Sequence, residues 1–241
     1  MKRTERHHLK ENELSVLAQS ARRAIEERRG PFLSFLVALG VLAVVALGYF
    51  GWRGRVEGRA GSLLAEASII ETARVGPPAA PGAPSAGLTF PTEKEKQQAA
   101  LAKFKAVADQ YPSTDAGLFA RYREATILVA LGTFADAVKT YQQLIDRAGN
   151  RIYGQMARLG LAEAQGRAGQ YESAINAYKE LAAQRDGPLP IDGILMQLGR
   201  TYLDAGKPAD AQQMFNRVVE EFPNSPFSGD ARRELDTLKK T

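Results

Sequence analysis

The feature that most constrains the fold of this chain is an internal repeat with a period of 37 residues. Alanines recur at this interval in the C-terminal part of the chain, each followed four residues later by an aromatic residue and then, after three more residues, by Val or Leu. A repeat of this length predicts a stack of supersecondary units that bury a continuous core between neighbours. The aligned sets are Ala100, Ala137, Ala174 and Ala211; Phe104, Tyr141, Tyr178 and Phe215; and Val107, Leu144, Leu181 and Val218.

Small residues and glycines elsewhere in each unit indicate a helix, a tight turn and a second helix. Ala125, Ala162 and Gly199 are spaced by the same period, as are the three glycines Gly132, Gly169 and Gly206. Small residues let two antiparallel helices approach closely, and a glycine between helices supplies a C-cap and a turn. We expect the repeated aromatic residues to pack in the core against the first helix of the following unit, and not to form a stacking surface for bases or sugars.

This pattern resembles the tetratricopeptide repeat family over residues 93–241, as a leading half-unit, about three full units and a closing helix at 228–239. The usual Trp is absent from these repeats, and the first two units end in Gly149 and Asp186 where the family has Pro. The resemblance implies a helical-repeat solenoid. The third unit matches the family best, through Leu198, Gly199, Tyr202, Gly206, Ala211, Phe215 and Pro223.

A second constraint is an uncharged stretch of 19 residues that begins with Phe32 and ends with Phe50. As an α-helix rising 1.5 Å per residue it would span about 28 Å, which matches the hydrocarbon core of a bilayer. Pro31 suits the first helical turn, and Tyr49 and Trp52 lie at the far edge, where amphipathic rings favour the headgroup layer. The sequence therefore predicts an all-α protein in which a single transmembrane helix, residues 31–52, precedes the solenoid and contacts the lipid bilayer.

The charges around this stretch favour a cytoplasmic N-terminus. Eight Lys or Arg residues precede it, and Arg53, Arg55 and Arg59 follow it closely. Within about 20 residues of the helix ends, this excess falls to four basic residues before the stretch against three after it. A cleavable signal peptide is the alternative, because the segment ending in Gly48 has small residues at the spacing that signal peptidase recognises.

The predicted transmembrane helix divides the chain into further regions. Residues 1–30 form a basic cytoplasmic lead, in which Leu14, Leu17, Ala21 and Ile25 indicate a short amphipathic helix that lies on the membrane surface or is solvated. Residues 53–91 contain an extracytoplasmic helix at 55–75 and then a connection rich in Pro and Gly. The repeat domain is predicted at residues 92–241.

Composition argues against several classes of function. The net charge is +5, but residues 1–91 hold 12 basic against 8 acidic residues, and residues 92–241 hold 20 against 19, so no nucleic-acid surface is expected. The repeat domain contains no His or Cys and no catalytic motif, and His7 and His8 lack further ligands at metal-site spacing. We therefore expect that this protein is not an enzyme and that it has no catalytic residue, cofactor, metal or small-molecule substrate.

The family resemblance implies a concave surface that is lined by the first helix of each unit and binds peptides. Apolar groups at one end of that surface suit apolar or partly unfolded segments, and no Lys and Asn clamp for a peptide carboxylate is apparent. The alternative is that these side chains fold back into the core of a short array or contact the leading half-unit. The groove positions are Phe119, Tyr122, Met156, Leu159, Glu163, Met196 and Arg200.

The overall layout is similar to that of the ancillary subunits of the bacterial Sec translocon and, more distantly, to the division coordinator associated with Tol-Pal. This resemblance implies a scaffold or chaperone-like module at the periplasmic face of a bacterial inner membrane, whose partners are other proteins or extended peptide segments. The alternative is a soluble periplasmic protein that signal peptidase releases near Gly48 and that coordinates envelope or division complexes.

Overall fold

The structure is a computed structural model that describes residues 29–77, 87–185 and 187–240. The predicted amphipathic helix of the lead and the two histidines lie outside these residues. The described part contains nine helices and two very short strands, which confirms the predicted helical class. In chain order they are α1 (Arg29–Glu71), β1 (Arg74–Val75), β2 (Thr89–Phe90), α2 (Glu93–Gln110), α3 (Asp115–Ala130), α4 (Phe134–Ala148), α5 (Ile152–Arg167), α6 (Tyr171–Ala183), α7 (Ile191–Asp204), α8 (Pro208–Glu221) and α9 (Ser228–Leu238).

The chain divides into two compact units, Met1–Arg55 and Val56–Thr241. The described part of the first unit is the N-terminal portion of α1, whose apolar side chains are exposed along its length. Within the described residues, Leu33–Glu71 is the one helix long and apolar enough to cross a membrane. A signal sequence near an N-terminus meets the same criterion of length and apolar composition, so this finding does not separate the two alternatives.

In the second unit, each helix from α2 to α9 packs against the next one along the chain. The helices α3, α5 and α7 are the first helices of the three repeat units, and α4, α6 and α8 are the second helices. Because the helices alternate in this order over short turns, the units form the predicted solenoid.

The turns inside the units share one geometry. Gly132, Gly169 and Gly206 have φ angles of +78°, +77° and +71°, in the left-handed region that glycine enters without strain. In each turn, the backbone N–H of the residue after the glycine donates to the carbonyl five residues before it, as in a Schellman motif. These bonds join Thr133 to Leu128 at 2.9 Å, Gln170 to Gln165 at 2.8 Å and Lys207 to Tyr202 at 2.8 Å. The predicted glycine turns are thus confirmed.

The repeated alanines, aromatic residues and Val or Leu residues are all buried, as their spacing predicts. Tyr141 packs against Gly160 in the first helix of the following unit, where an added Cβ would lie only 2.4 Å from the ring. Phe215 also packs against Gly199, in the first helix of its own unit. The aromatic residues therefore contact first helices on both sides, and glycine provides the space for the close approach.

The structure differs from the predicted boundary of the repeat domain at Thr92. Residues 56–71 of α1 belong to the same compact unit as the repeats, and Ala60 and Ala67 in this segment are fully buried. Ala67 and its apolar neighbours pack in one cluster with Phe104 of α2, and Glu71 forms an ion pair with Arg123 of α3. The C-terminal part of α1 thus covers the half-unit, since α2 alone could not bury both of its faces. In the connection that follows, β1 pairs in parallel with β2.

Candidate functional site

The first helices of the units lie on the inner side of the array. Helix α3 contacts α5, and α5 contacts α7, in addition to the contacts between sequential helices. In the described part of the chain, the second helices α4, α6 and α8 make no comparable contact with one another. Because neighbouring units approach most closely through α3, α5 and α7, these helices line the concave side.

Five side chains form a partly exposed apolar row on this side, and Glu163 of α5 lies beside them as an exposed carboxylate. The rings of Phe119 on α3 and Tyr153 on α5 have centroids 6.1 Å apart, which joins the two helices at the surface. Such half-buried aromatic groups offer contact area to a ligand at a low cost in side-chain entropy. We call this set the inner surface; it comprises Phe119, Tyr122, Tyr153, Met156, Leu159 and Glu163.

The carboxylate of Glu163 influences tyrosines from three helices. Burial raises the pKa of Tyr122 above its usual value, and the negative charge of Glu163 raises it further. The pKa of Tyr141 and of Tyr178 is also raised, chiefly by burial, with a contribution from Glu163. These phenols therefore stay protonated over the physiological range, and the inner surface carries one negative charge next to apolar groups.

The two predicted groove positions on α7 have other roles. Met196 has no exposed surface and lies in the core with residues of α9. Our prediction that it lines an open groove is therefore wrong for this residue. The guanidinium of Arg200 lies 3.7 Å from a carboxylate oxygen of Asp230 and 3.6 Å from one of Glu234, both on α9. The closing helix occupies this end of the array, which leaves the surface on α3 and α5 as the candidate site.

Tyr153 was not among the predicted site residues. It lies three residues before Met156 on the same helix, and residues at this spacing share one face. Helical spacing within α5 could therefore have identified it.

The sequence analysis also did not identify a group of buried charges behind the inner surface. Arg121 and Glu124 of α3 are only 7% and 4% exposed, and Arg121 Nη1 donates to Glu124 Oε2 at 2.7 Å. Arg121 also pairs with Asp109 of α2, and Lys105 lies 3.3 Å from Asp109 and 3.8 Å from Glu124. Burial raises the pKa of Glu124 in spite of these cations. The group fixes α3 on α2 and does not face the inner surface.

The described residues contain no cluster of metal-ligating side chains. Within residues 29–77, 87–185 and 187–240, no group of three or more His, Cys, Asp or Glu side chains could hold a metal ion. The arrangement on α3 and α5 can bind apolar groups and a cation, and it offers no nucleophile next to a base.

Two family models of the tetratricopeptide repeat match the chain, one over residues 122–189 and the other over residues 167–228. Residues 122–228 are thus similar to tetratricopeptide repeats. The matched residues run from the middle of α3 to the start of α9, so they include the inner surface except for Phe119. Comparison with curated proteins found no match.

Solved structures with similar repeats support the same fold. Two structures of a Podospora anserina protein described as a kinesin light chain with nearly identical TPR-like repeats are each 15% identical, with TM-scores of 0.58 and 0.57. Both cover 76% of this chain, and this chain covers 86% and 87% of theirs. A tetratricopeptide repeat protein from Parabacteroides merdae is 18% identical, with a TM-score of 0.48, covering 61% of this chain and 56% of its own. At 15% identity, the likeness to the two Podospora anserina structures shows the fold alone.

Proposed function

We propose that this protein is a membrane-tethered scaffold or chaperone-like module that binds extended peptide segments or partner proteins on its inner surface. Tetratricopeptide repeat proteins mediate protein–protein interactions. The observation that carries the proposal is the row of half-exposed aromatic and apolar side chains on α3 and α5. The closing helix packs against α7 and α8, which keeps this row on α3 and α5 accessible to a partner.

The chemistry of the inner surface favours one type of segment. Phe119, Tyr153 and Met156 suit apolar side chains, because rings and the flexible thioether adapt to varied shapes. Glu163 favours a Lys or Arg within the same segment, since a carboxylate next to apolar groups interacts with a cation more strongly than in open water. The preferred ligand is an extended apolar segment that contains a basic residue.

The tether is the N-terminal portion of α1, which would hold the repeats at the periplasmic face of a bacterial inner membrane. Tethering raises the local concentration of a binding module near membrane-bound or translocating partners. This arrangement matches the resemblance to the ancillary subunits of the Sec translocon and, more distantly, to the Tol-Pal-associated coordinator.

The second candidate is a soluble periplasmic protein that acts with envelope or division complexes after cleavage near Gly48. The small residues before this position favour it. Cleavage there would divide α1, which continues without interruption to Glu71. Mass spectrometry of the N-terminus of the purified protein separates the two candidates, because only the tethered form retains residues 1–48.

Binding at the inner surface can be tested with a photoreactive amino acid at Leu159 in the full-length protein. Matched control positions are Gln142 on α4 and Asn176 on α6, which are exposed on second helices. We expect a labelled apolar peptide containing Lys to crosslink at Leu159 and not at the controls, and Glu163→Gln to weaken this crosslinking. Equal crosslinking at all three positions would show that the inner surface has no special affinity for such peptides.

A further inference from the structure

Two aromatic side chains and two arginines lie where the apolar stretch of α1 ends. Tyr49 and Trp52 are 51% and 62% exposed, and their ring centroids are 6.2 Å apart. Arg53 and Arg55 follow directly and are exposed as well. Residues 32–55 include no acidic residue. This end of the first compact unit therefore presents cationic groups next to aromatic rings, without an acidic side chain in the same stretch.

The helical spacing pairs each arginine with an aromatic residue on the same face of α1. Arg53 follows Tyr49 by four residues and Arg55 follows Trp52 by three, and both spacings put the two side chains on one face of a helix. Each arginine lies about 5 Å further along the helix axis than its ring. If the rings lie at the border of the hydrocarbon, the two guanidinium groups lie at the depth of the lipid phosphates.

We propose that Tyr49, Trp52, Arg53 and Arg55 form a binding site for the headgroup of an anionic phospholipid. The planar guanidinium group offers paired N–H donors that match the oxygens of a phosphate, and the rings cover the adjacent glycerol and acyl carbons. Close to a surface of anionic lipid, each arginine strengthens the attraction to that surface about five-fold. This inference rests on the proposed membrane tether, since the site forms only when α1 lies in a bilayer.

Trp52 provides the measurement, because it is the single tryptophan of the chain. The full-length protein is reconstituted into vesicles of phosphatidylcholine with phosphatidylglycerol as the minor component. In one set the acyl chains of the phosphatidylglycerol carry bromine, and in the other an equal amount of the phosphatidylcholine does. We expect the brominated phosphatidylglycerol to quench the fluorescence of Trp52 several times more strongly than the same amount of brominated phosphatidylcholine.

Two variants of equal net charge identify the source of this excess. Arg53→Gln combined with Arg55→Gln should remove the excess quenching by phosphatidylglycerol. Arg147→Gln combined with Arg232→Gln changes two exposed arginines of the repeat domain and should retain the excess. If the excess persists without Arg53 and Arg55, the lipid site is not where we place it.

The same measurement separates this proposal from the tether on which it rests. Equal quenching by the two brominated lipids in the unsubstituted protein would overturn the lipid site and still support insertion of α1 into the bilayer. Absence of quenching by either lipid would overturn both the tether and the lipid site.

Discussion

The two ends of the repeat array place the same repeat position in different environments. Tyr122, Leu159 and Met196 are separated by 37 residues each, yet Tyr122 and Leu159 are half-buried at the inner surface, whereas Met196 is fully buried. Likewise, Glu163 is exposed, whereas the equivalent Arg200 lies near two carboxylates of α9. A position within the repeat thus determines which side of the array a residue faces, and the neighbouring helix determines whether it stays accessible.

Gly193 shows how the closing helix reaches this end of the array. It occupies the repeat position that Phe119 and Met156 hold in the preceding units. A Cβ at Gly193 would lie 3.2 Å from the ring of Phe227, which packs at the N-terminus of α9. The ring of Phe227 therefore fills the space that a large side chain of α7 would need, and a potential ligand position becomes part of the core.

The two ends are also stabilised by different interactions. At the N-terminal end, α2 and α3 are joined by the buried charges of Arg121 and Glu124 together with the exposed carboxylate of Asp109. In the last unit, α7, α8 and α9 share one apolar cluster. Removal of a single charged partner lowers the free energy of unfolding strongly, because the other charge stays buried. Removal of apolar side chains lowers it in proportion to the apolar area that was buried.

Removal of residues 227–241 should have the largest effect. It takes away Phe227, Ala231 and Leu235, and it exposes the apolar cluster around Met196, at an expected cost of about 5 kcal/mol. Hydrogen exchange should increase in α7 and α8 much more than in α3, because units of a solenoid depend mainly on their neighbours. Unchanged protection of α7 would show that the closing helix does not support this end.

Arg121→Ala should destabilise the opposite end by about 4 kcal/mol, because it leaves Glu124 buried without its closest cation. Chemical denaturation measures this loss. Arg147→Ala, at an exposed position, should change the stability by less than about 0.5 kcal/mol. Similar losses in the two variants would contradict a structural role for the buried charges.

Met196→Ala and Leu159→Ala compare one repeat position in the last and the middle unit directly. We expect a loss of about 3 kcal/mol for Met196, which is fully buried. For Leu159, which is half-buried, the loss should be about 1 kcal/mol, accompanied by weaker binding of the apolar peptide. Chemical denaturation measures the loss of stability, and fluorescence anisotropy with the labelled peptide measures binding. Peptide binding that depends equally on both residues would disprove the assignment of Leu159, and not Met196, to the accessible surface.

Gly193→Ala should have a small effect, a net loss of about 1 kcal/mol, because the new methyl group presses on the ring of Phe227 and this cost exceeds the gain from replacing glycine in a helix. Gly229→Ala within α9 is the matched control, since an added Cβ there would lie no closer than 4.0 Å to Arg233. Replacing a glycine inside a helix by alanine with free space should stabilise the protein slightly. Thermal denaturation of both variants tests the close contact between residue 193 and the ring of Phe227. A melting temperature that rises equally in the two variants would contradict it.

Much of the fold could be predicted from the spacing of a few residue types. Gly132, Gly169 and Gly206 marked the turns, and Phe104 and its equivalents marked the core. The sequence also indicated the side of the array on which Tyr122 and Leu159 lie. It did not predict that residues 56–71 cover the half-unit, because these residues lie outside the repeat and their apolar spacing is compatible with any helical partner.

By itself, the sequence determined the period, the turns and the buried face of each helix, because local backbone preferences and apolar spacing act within a single unit. The tertiary structure alone decided which of the equivalent inner positions remain open. Exposure depends on contacts between distant parts of the chain, such as Phe227 against Gly193 and Glu234 near Arg200. A repeat pattern does not encode such contacts, because they form where the repetition ends.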